Sequence, residues 1–224
     1  MNPNQADEPK VRPAKIPIFN LANMLTLFRI ILAPAFFILY LLPRFYPSLF
    51  INGIVWTIPV LWVIFIVSEV TDYFDGLAAR KLKQISDFGK LFDPFADTLV
   101  QLTYFLCFLI DGVWGDGILP VILFLVIIYR EFGILFIRNL MLKKGTTLGA
   151  RLSGKIKTFA YIIAAGAALI AASFERLAAC RTYTCETFLP YIRTGALVIF
   201  IISVILSVIS FFDYLLIYKK TENS

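Results

Sequence analysis

Six stretches of this chain are too long and too apolar to sit anywhere but in lipid. They fall at about 25–42, 51–70, 97–112, 118–139, 157–174 and 192–216, each near the roughly 20 residues that cross a bilayer as a helix. In hydrocarbon no water is available to backbone N–H and C=O groups, so those groups must be satisfied within the protein. The expectation is an all-α integral membrane protein with six transmembrane helices. Composition agrees: 59% of residues are hydrophobic, 16% are charged and the mean hydropathy is +0.81, well beyond a soluble domain. Breaks are expected at Leu42-Pro43-Arg44, from Asp111-Gly112 through Asp116-Gly117, and in a loop from Cys180 to Pro190. Residues 1–15 read as a flexible tail, 16–24 as a short interfacial helix entering the first span, 16–218 as one membrane domain and 219–224 as a C-terminal tail. Residues 1–19 are polar, carry Pro3, Pro9, Pro13 and Pro17, and lack a secretory cleavage pattern, so the first span is expected to stay in the mature protein.

The basic residues orient the bundle. Lys10, Arg12, Lys15, Arg80, Lys81, Lys83, Lys90, Lys143, Lys144, Arg151, Lys155, Lys157, Lys219 and Lys220 fall on one side of the spans. Arg44, Arg176, Arg181 and Arg193, mixed with Asp111, Asp116, Glu175 and Glu186, fall on the other. The positive-inside rule therefore places both termini in the cytoplasm. The net charge of +6 reads as topology and as a site for an anionic substrate, and no nucleic-acid partner is expected. The chain has no histidine, which excludes Ser-His-Asp triads, histidine-ligated zinc and phospholipase-D-like transfer. Cys107 lies inside an apolar span and reads as core. Cys180 and Cys185 share a polar loop too poor in other ligands for a metal, and are either a short disulfide or two thiols.

Between the second and third spans stand Asp72, Asp75, Asp93 and Asp97. Ionisable groups at a bilayer edge are costly and mark function. Asp72, Asp75, Gly76 and Ala79 are spaced as one helical stripe, and Gly89, Asp93 and Asp97 as another. With a turn near Ser86-Asp87 the two helices can extend past the membrane as a hairpin whose stripes face each other. Four converging carboxylates repel one another unless cations lie between them. Oxygen ligands without cysteine or histidine suit Mg²⁺ or Mn²⁺. A pair of such ions suits phosphoryl transfer, with one carboxylate taking a proton from the attacking hydroxyl. The small residues leave room for a flat ligand.

Asp72, Asp75, Gly76, Ala79, Arg80, Gly89, Asp93 and Asp97 together fill a pattern of two aspartates, glycine, alanine and arginine, then glycine and two more aspartates. This pattern resembles the signature of the CDP-alcohol phosphotransferases. The resemblance implies a six-helix, often homodimeric membrane enzyme that joins an alcohol to a CDP-activated partner and releases CMP. It implies that Asp72, Asp75, Asp93 and Asp97 ligate two Mg²⁺ or Mn²⁺ ions and that Asp97 is also the general base. It assigns Asp72, Gly76, Ala79, Arg80 and Gly89 to the nucleotide. The flanks narrow the match: Asn20, Asn23, Leu25, Thr26 and Arg29 with Pro34, then Arg130-Glu131, Arg138 and Gly154-Lys155-Ile156-Lys157-Thr158, are similar to the bacterial phosphatidylglycerophosphate synthases. Ala22 stands where those usually have proline. The implied partners are CDP-diacylglycerol, sn-glycerol 3-phosphate and membrane lipids, and the implied place is the bacterial cytoplasmic membrane with the site on its inner face.

The residues supply their own argument for a phosphorylated acceptor. A dianion needs fixed cations, and Arg130, Arg138, Lys155 and Lys157 can line one pocket from two helices, arginine binding phosphate bidentately and lysine as a point charge. Each has a plainer reading as an ion-pair partner or a lipid-headgroup contact. Thr26 and Arg29 are candidate substrate contacts, and Arg29 reads equally as an ion-pair partner for Glu69. Inositol phosphate, inositol or serine are the alternative acceptors. A cation transporter is the alternative of another class, although its site belongs near the midplane rather than at one edge beside a cationic patch.

Overall fold

The computed structural model describes residues 21–46, 50–51, 54–81, 87–143, 152–176 and 183–222. Six long helices account for nearly all of them: α1 Leu21–Phe45, α2 Thr57–Lys81, α3 Asp87–Ile110, α4 Ile118–Lys143, α5 Leu152–Arg176 and α6 Tyr183–Glu222. Among the described residues, five stretches are long and apolar enough to cross a membrane: Asn23–Phe45, Leu91–Ile110, Ile118–Met141, Leu152–Arg176 and Thr187–Lys219. Helix α2 is not among them. Its apolar half gives way to Ser68, Glu69, Thr71 and Asp72 before the helix ends.

The helices depart from the predicted spans in ways the apolar pattern could not convey. Residues 50–55, expected as the start of the second span, instead give a short antiparallel pair, β1 Phe50–Ile51 and β2 Ile54–Val55. The sequence between the strands is Asn52-Gly53, the dipeptide that two-residue hairpins favour. Helix α3 begins at Asp87 and α6 at Tyr183, so polar turns extend both apolar runs. The loop expected up to Pro190 is therefore helical from Tyr183, with Pro190 inside the helix and its carbonyl accepting from the Thr194 hydroxyl at 2.8 Å. Residues 16–20 of the expected interfacial helix and the 1–15 tail lie outside the described residues, while 21–24 form the first turn of α1.

Helix α1 packs on both α2 and α3 and is the principal neighbour of each. Among the described residues, both helices of the expected hairpin pack on α1. Helix α3 also contacts α4 and α5, and α5 pairs closely with α6. That last pairing follows from composition: Ala164, Ala165, Ala168, Ala171 and Ala172 are all buried, and small side chains let helix backbones approach where lipid offers no hydrophobic drive.

The core is aromatic. Phe36 meets Tyr104 edge-on at 4.6 Å, Phe105 meets Tyr161 and Phe200 at 5.3 and 5.2 Å, and Trp114 stacks on Phe200 at 3.9 Å. Trp114 reaches this cluster because Gly112 and Gly115 take positive φ, 64° and 95°, and turn the chain back after α3. Beside it, Arg176 bonds Asp111 at 2.5 Å and the Tyr40 carbonyl at 2.9 Å, tying the far ends of α1, α3 and α5. Cys107 is a buried free thiol, as its apolar setting implied. Cys180 and the Cys185 side chain lie outside the described residues.

Outward faces carry Ile31 and Ile38 on α1, Val63 and Ile66 on α2, and Ile205, Ile209 and Phe212 on α6, all exposed. Apolar exposure on this scale suits lipid rather than water. Phe36, Phe37 and Phe211, equally apolar, are turned inward: Phe36 is fully buried, Phe37 packs against the core, and the Phe211 ring lies against Gly133. The 3.6-residue period separates core from lipid only when both faces differ in polarity, and here both are apolar.

Removing the Phe36 ring should leave a cavity among Tyr40, Tyr104 and Phe108. Phe36→Ala is expected to lower stability by about 3 kcal/mol, read by denaturant titration in detergent, whereas the lipid-facing Phe212→Ala should lie within about 0.5 kcal/mol of the parent.

Candidate active site

Successive helices run in opposite directions. The first turns of α1, α3 and α5 and the last turns of α2, α4 and α6 therefore share one end of the bundle. Every sequence-predicted site residue belongs to the half of its helix nearer that end, apart from Arg130 at the middle of α4. Helix α1 brings Thr26 and Arg29, one turn apart on a single face. Helix α3 brings Asp93 and Asp97 in the same relation, and α2 brings Asp72.

Arg29 joins the two carboxylate-bearing helices. Its Nη1 donates to Asp72 Oδ1 and its Nη2 donates to Asp97 Oδ1 at 2.9 Å. The Thr26 hydroxyl donates to Asp93 Oδ1 at 2.9 Å. The arginine side chain is only 4% exposed, whereas those of Asp72 and Asp97 are 33% and 38% exposed. The cation is thus inside the protein, and the carboxylates front an open space. Asp72 and Asp97, rather than Glu69 alone, are the ionic partners that hold Arg29. The side chains of Asp75, Gly76, Ala79 and Arg80 lie on α2 outside the described side chains, and Gly89 is buried at the start of α3.

The donor set fits a hard divalent cation in kind. Asp72, Asp93 and Asp97 offer carboxylate oxygens only, which is Mg²⁺ or Mn²⁺ chemistry. The guanidinium between two of them shows that these carboxylates converge on positive charge. Among the described residues no group of three or more such side chains is close enough to hold an ion.

The open space is a cavity of about 510 Å³, well within the size of small-molecule sites. Asp72, Asp97 and Thr98 line one wall. Arg130, Glu131 and Arg138 from α4, Lys155, Lys157 and Thr158 from α5, and Tyr214 from α6 line the others. Acidic and cationic halves, read separately in the sequence, thus open into one space.

The four cations are not equivalent. Arg130 is buried and fully engaged: Nε donates to the Ser207 carbonyl at 3.1 Å, Nη1 to Glu131 at 2.8 Å and Nη2 to the Ser210 hydroxyl at 3.0 Å. Lys157 donates to the same Glu131 oxygen at 3.0 Å and lies 4.5 Å from the centre of the Tyr161 ring. The Tyr161 hydroxyl in turn bonds Ser207 at 2.6 Å. One carboxylate therefore serves two buried cations, and the trio locks α4, α5 and α6 together. Arg138 and Lys155 have no carboxylate partner among the described residues. Arg138 donates to the Tyr214 hydroxyl at 3.2 Å, and Lys155 is exposed at the cavity mouth.

Sequence reasoning missed Tyr214, Ser207, Ser210 and the Ser153–Asp213 bond of 2.6 Å. One signal was present: Asp213-Tyr214 interrupts an otherwise apolar run, and an ionisable residue there marks a site or a buried partner.

The sequence pattern of the CDP-alcohol phosphatidyltransferase family matches residues 19–209. A Treponema pallidum protein named CDP-diacylglycerol–glycerol-3-phosphate 3-phosphatidyltransferase is 37% identical over 199 residues, covering 87% of each chain. Proteins of the same name from Bacillus subtilis and Escherichia coli are 39% identical over 157 residues and 35% identical over 149. These alignments cover 68% and 65% of this chain and 78% and 74% of the relatives.

Glu131→Gln would leave Arg130 and Lys157 buried together without a counter-charge. Loss of one partner from a buried ionic group costs about 3–5 kcal/mol. The variant is expected to unfold at markedly lower denaturant than the parent, and Glu131→Asp to recover part of the difference.

Proposed function

The chain belongs to the CDP-alcohol phosphatidyltransferase family, and on that footing we propose that it transfers the phosphatidyl group of CDP-diacylglycerol to sn-glycerol 3-phosphate, yielding phosphatidylglycerol phosphate and CMP. The observation that carries the reading is the single cavity in which Asp72 and Asp97 face Arg130, Arg138, Lys155 and Lys157. A lipid diphosphate and a dianionic acceptor need this pairing of an oxygen-ligand wall with a cationic wall.

Asp72, Asp75, Asp93 and Asp97 would hold Mg²⁺ or Mn²⁺, whose charge, when two ions are bound, offsets that of the diphosphate. Arg29 and Thr26 keep three of these carboxylates in place from below, and Gly76, Ala79, Arg80 and Gly89 take the nucleotide. Arg138 and Lys155 bind the acceptor phosphate. Arg130 and Lys157, held by Glu131, supply the fixed positive wall behind it. Asp97 accepts the proton of the acceptor hydroxyl. That oxygen bonds to the phosphorus bearing diacylglycerol, and the bond from this phosphorus to the CMP oxygen breaks. Holding both substrates in one cavity turns a bimolecular encounter into an oriented reaction.

The lipid reaches the site sideways. An apolar groove of about 320 Å³ runs between α3 and α4, lined by Phe95, Leu102, Leu106, Phe124 and Phe132, and shares Thr98 and Leu135 with the polar cavity. It takes an acyl chain while the headgroup stays among the charged residues. In this reading α2 is the sixth span, the basic ends of the helices face the cytoplasm, and the enzyme works as a homodimer. Cation transport is disfavoured because the carboxylates share their cavity with Arg130, Arg138, Lys155 and Lys157, which would repel a transported ion.

Purified protein given CDP-diacylglycerol and Mg²⁺ should release CMP with glycerol 3-phosphate and not with serine or inositol. Asp97→Asn should lower the rate about 10³-fold, the scale of a lost general base. CMP release with inositol phosphate alone would reassign the acceptor, and release with none would overturn the reading.

A further inference from the structure

Arg138 reaches the cavity through contacts that differ from those of the other cations. Where Arg130 and Lys157 are fixed by a carboxylate, Arg138 rests on one residue of α6. Its Nη2 donates to the Tyr214 hydroxyl at 3.2 Å, and its guanidinium carbon lies 5.6 Å from the centre of the Tyr214 ring. Its Nε is buried and has no hydrogen-bond partner. Tyr214 itself is 2% exposed yet lines the cavity, so its hydroxyl cannot wander. The position of that hydroxyl depends in turn on Gly154: a Cβ there would sit 3.1 Å from the Tyr214 oxygen and 3.7 Å from Cε2.

We propose that Tyr214, seated in the space that Gly154 leaves open, is a positioning residue that aims Arg138 at the acceptor phosphate and so sets the preference for a phosphorylated alcohol. The inference rests on the acceptor-pocket reading above. The physical reason is the nature of the partner. A carboxylate beside Arg138 would neutralise the guanidinium and compete with the phosphate. A phenolic oxygen and an aromatic face orient it without cancelling its charge. Because phosphate binds arginine through paired, directed hydrogen bonds, loss of aim should weaken binding of the phosphate group rather than slow transfer once it is bound.

The test is steady-state kinetics on the purified full-length enzyme in mixed micelles with Mg²⁺. Arg138→Gln should raise the KM for glycerol 3-phosphate, which tests the pocket itself. Tyr214→Phe, which keeps the ring, should raise that KM about tenfold, the scale of one hydrogen bond to a charged group, with kcat and the KM for CDP-diacylglycerol unchanged. Gly154→Ala should act in the same direction, and carries the test if Tyr214→Phe does not fold. In the Arg138→Gln background, Tyr214→Phe should add little, since the two act through one contact. If Arg138→Gln has no effect on this KM, the pocket reading fails. If Arg138→Gln raises it and neither Tyr214→Phe nor Gly154→Ala does, the positioning role alone is overturned. A Tyr214→Phe effect that falls on kcat and both substrates, and adds fully to that of Arg138→Gln, also overturns it in favour of a general structural role.

Discussion

A single buried guanidinium decides where the acidic half of the site stands. Arg29 is almost wholly inside the protein, yet it meets Asp72 of α2 and Asp97 of α3. Two carboxylates on separate helices would repel each other and drift toward water. A cation between them, presented by α1, holds both at the cavity wall. Thr26, one turn earlier, does the same for Asp93 with a neutral hydroxyl. The packing of α1 against both α2 and α3 is thus an electrostatic arrangement as much as an apolar one.

The opposite wall answers with inverted charge. Glu131 is the buried anion, and Arg130 and Lys157 are its two cations. Three charges in a low-dielectric interior are tolerable only when their hydrogen bonds are satisfied, and Ser207 and Ser210 complete the set for Arg130. The result is a wall of net positive charge that does not depend on flexible side chains. Between the two walls lies a space that suits anionic ligands, open sideways to an apolar groove. Preformed charge of this kind is what a transfer between two phosphate-bearing substrates uses, because it needs no rearrangement as charge moves.

The class of fold was legible because lipid leaves a backbone so few options. The aspartates were legible because each is an expensive residue in an apolar setting, at spacings that put them on helical stripes. The cationic residues were legible as a group for the same reason, but their division of labour was not. Nothing in local sequence distinguishes Arg130, committed to Glu131 and α6, from Arg138, which rests on a tyrosine. Phe36 illustrates the same limit in the core: on a helix apolar all round, the sequence carries no mark of which side meets protein and which meets lipid.

By itself the sequence determined that the chain is a helical membrane protein, the family to which it belongs, and which residues are candidates for its chemistry. These follow from periodicity, from the cost of charge near lipid, and from spacing within single helices, all of which are local. Only the tertiary structure decided that α1 packs on both aspartate helices, that Arg29 pairs with Asp72 and Asp97, and that Tyr214 supports Arg138. Those contacts join residues 43 to 76 positions apart. They depend on helix rotation and on packing against neighbours, and neither is written in the pattern of any one helix.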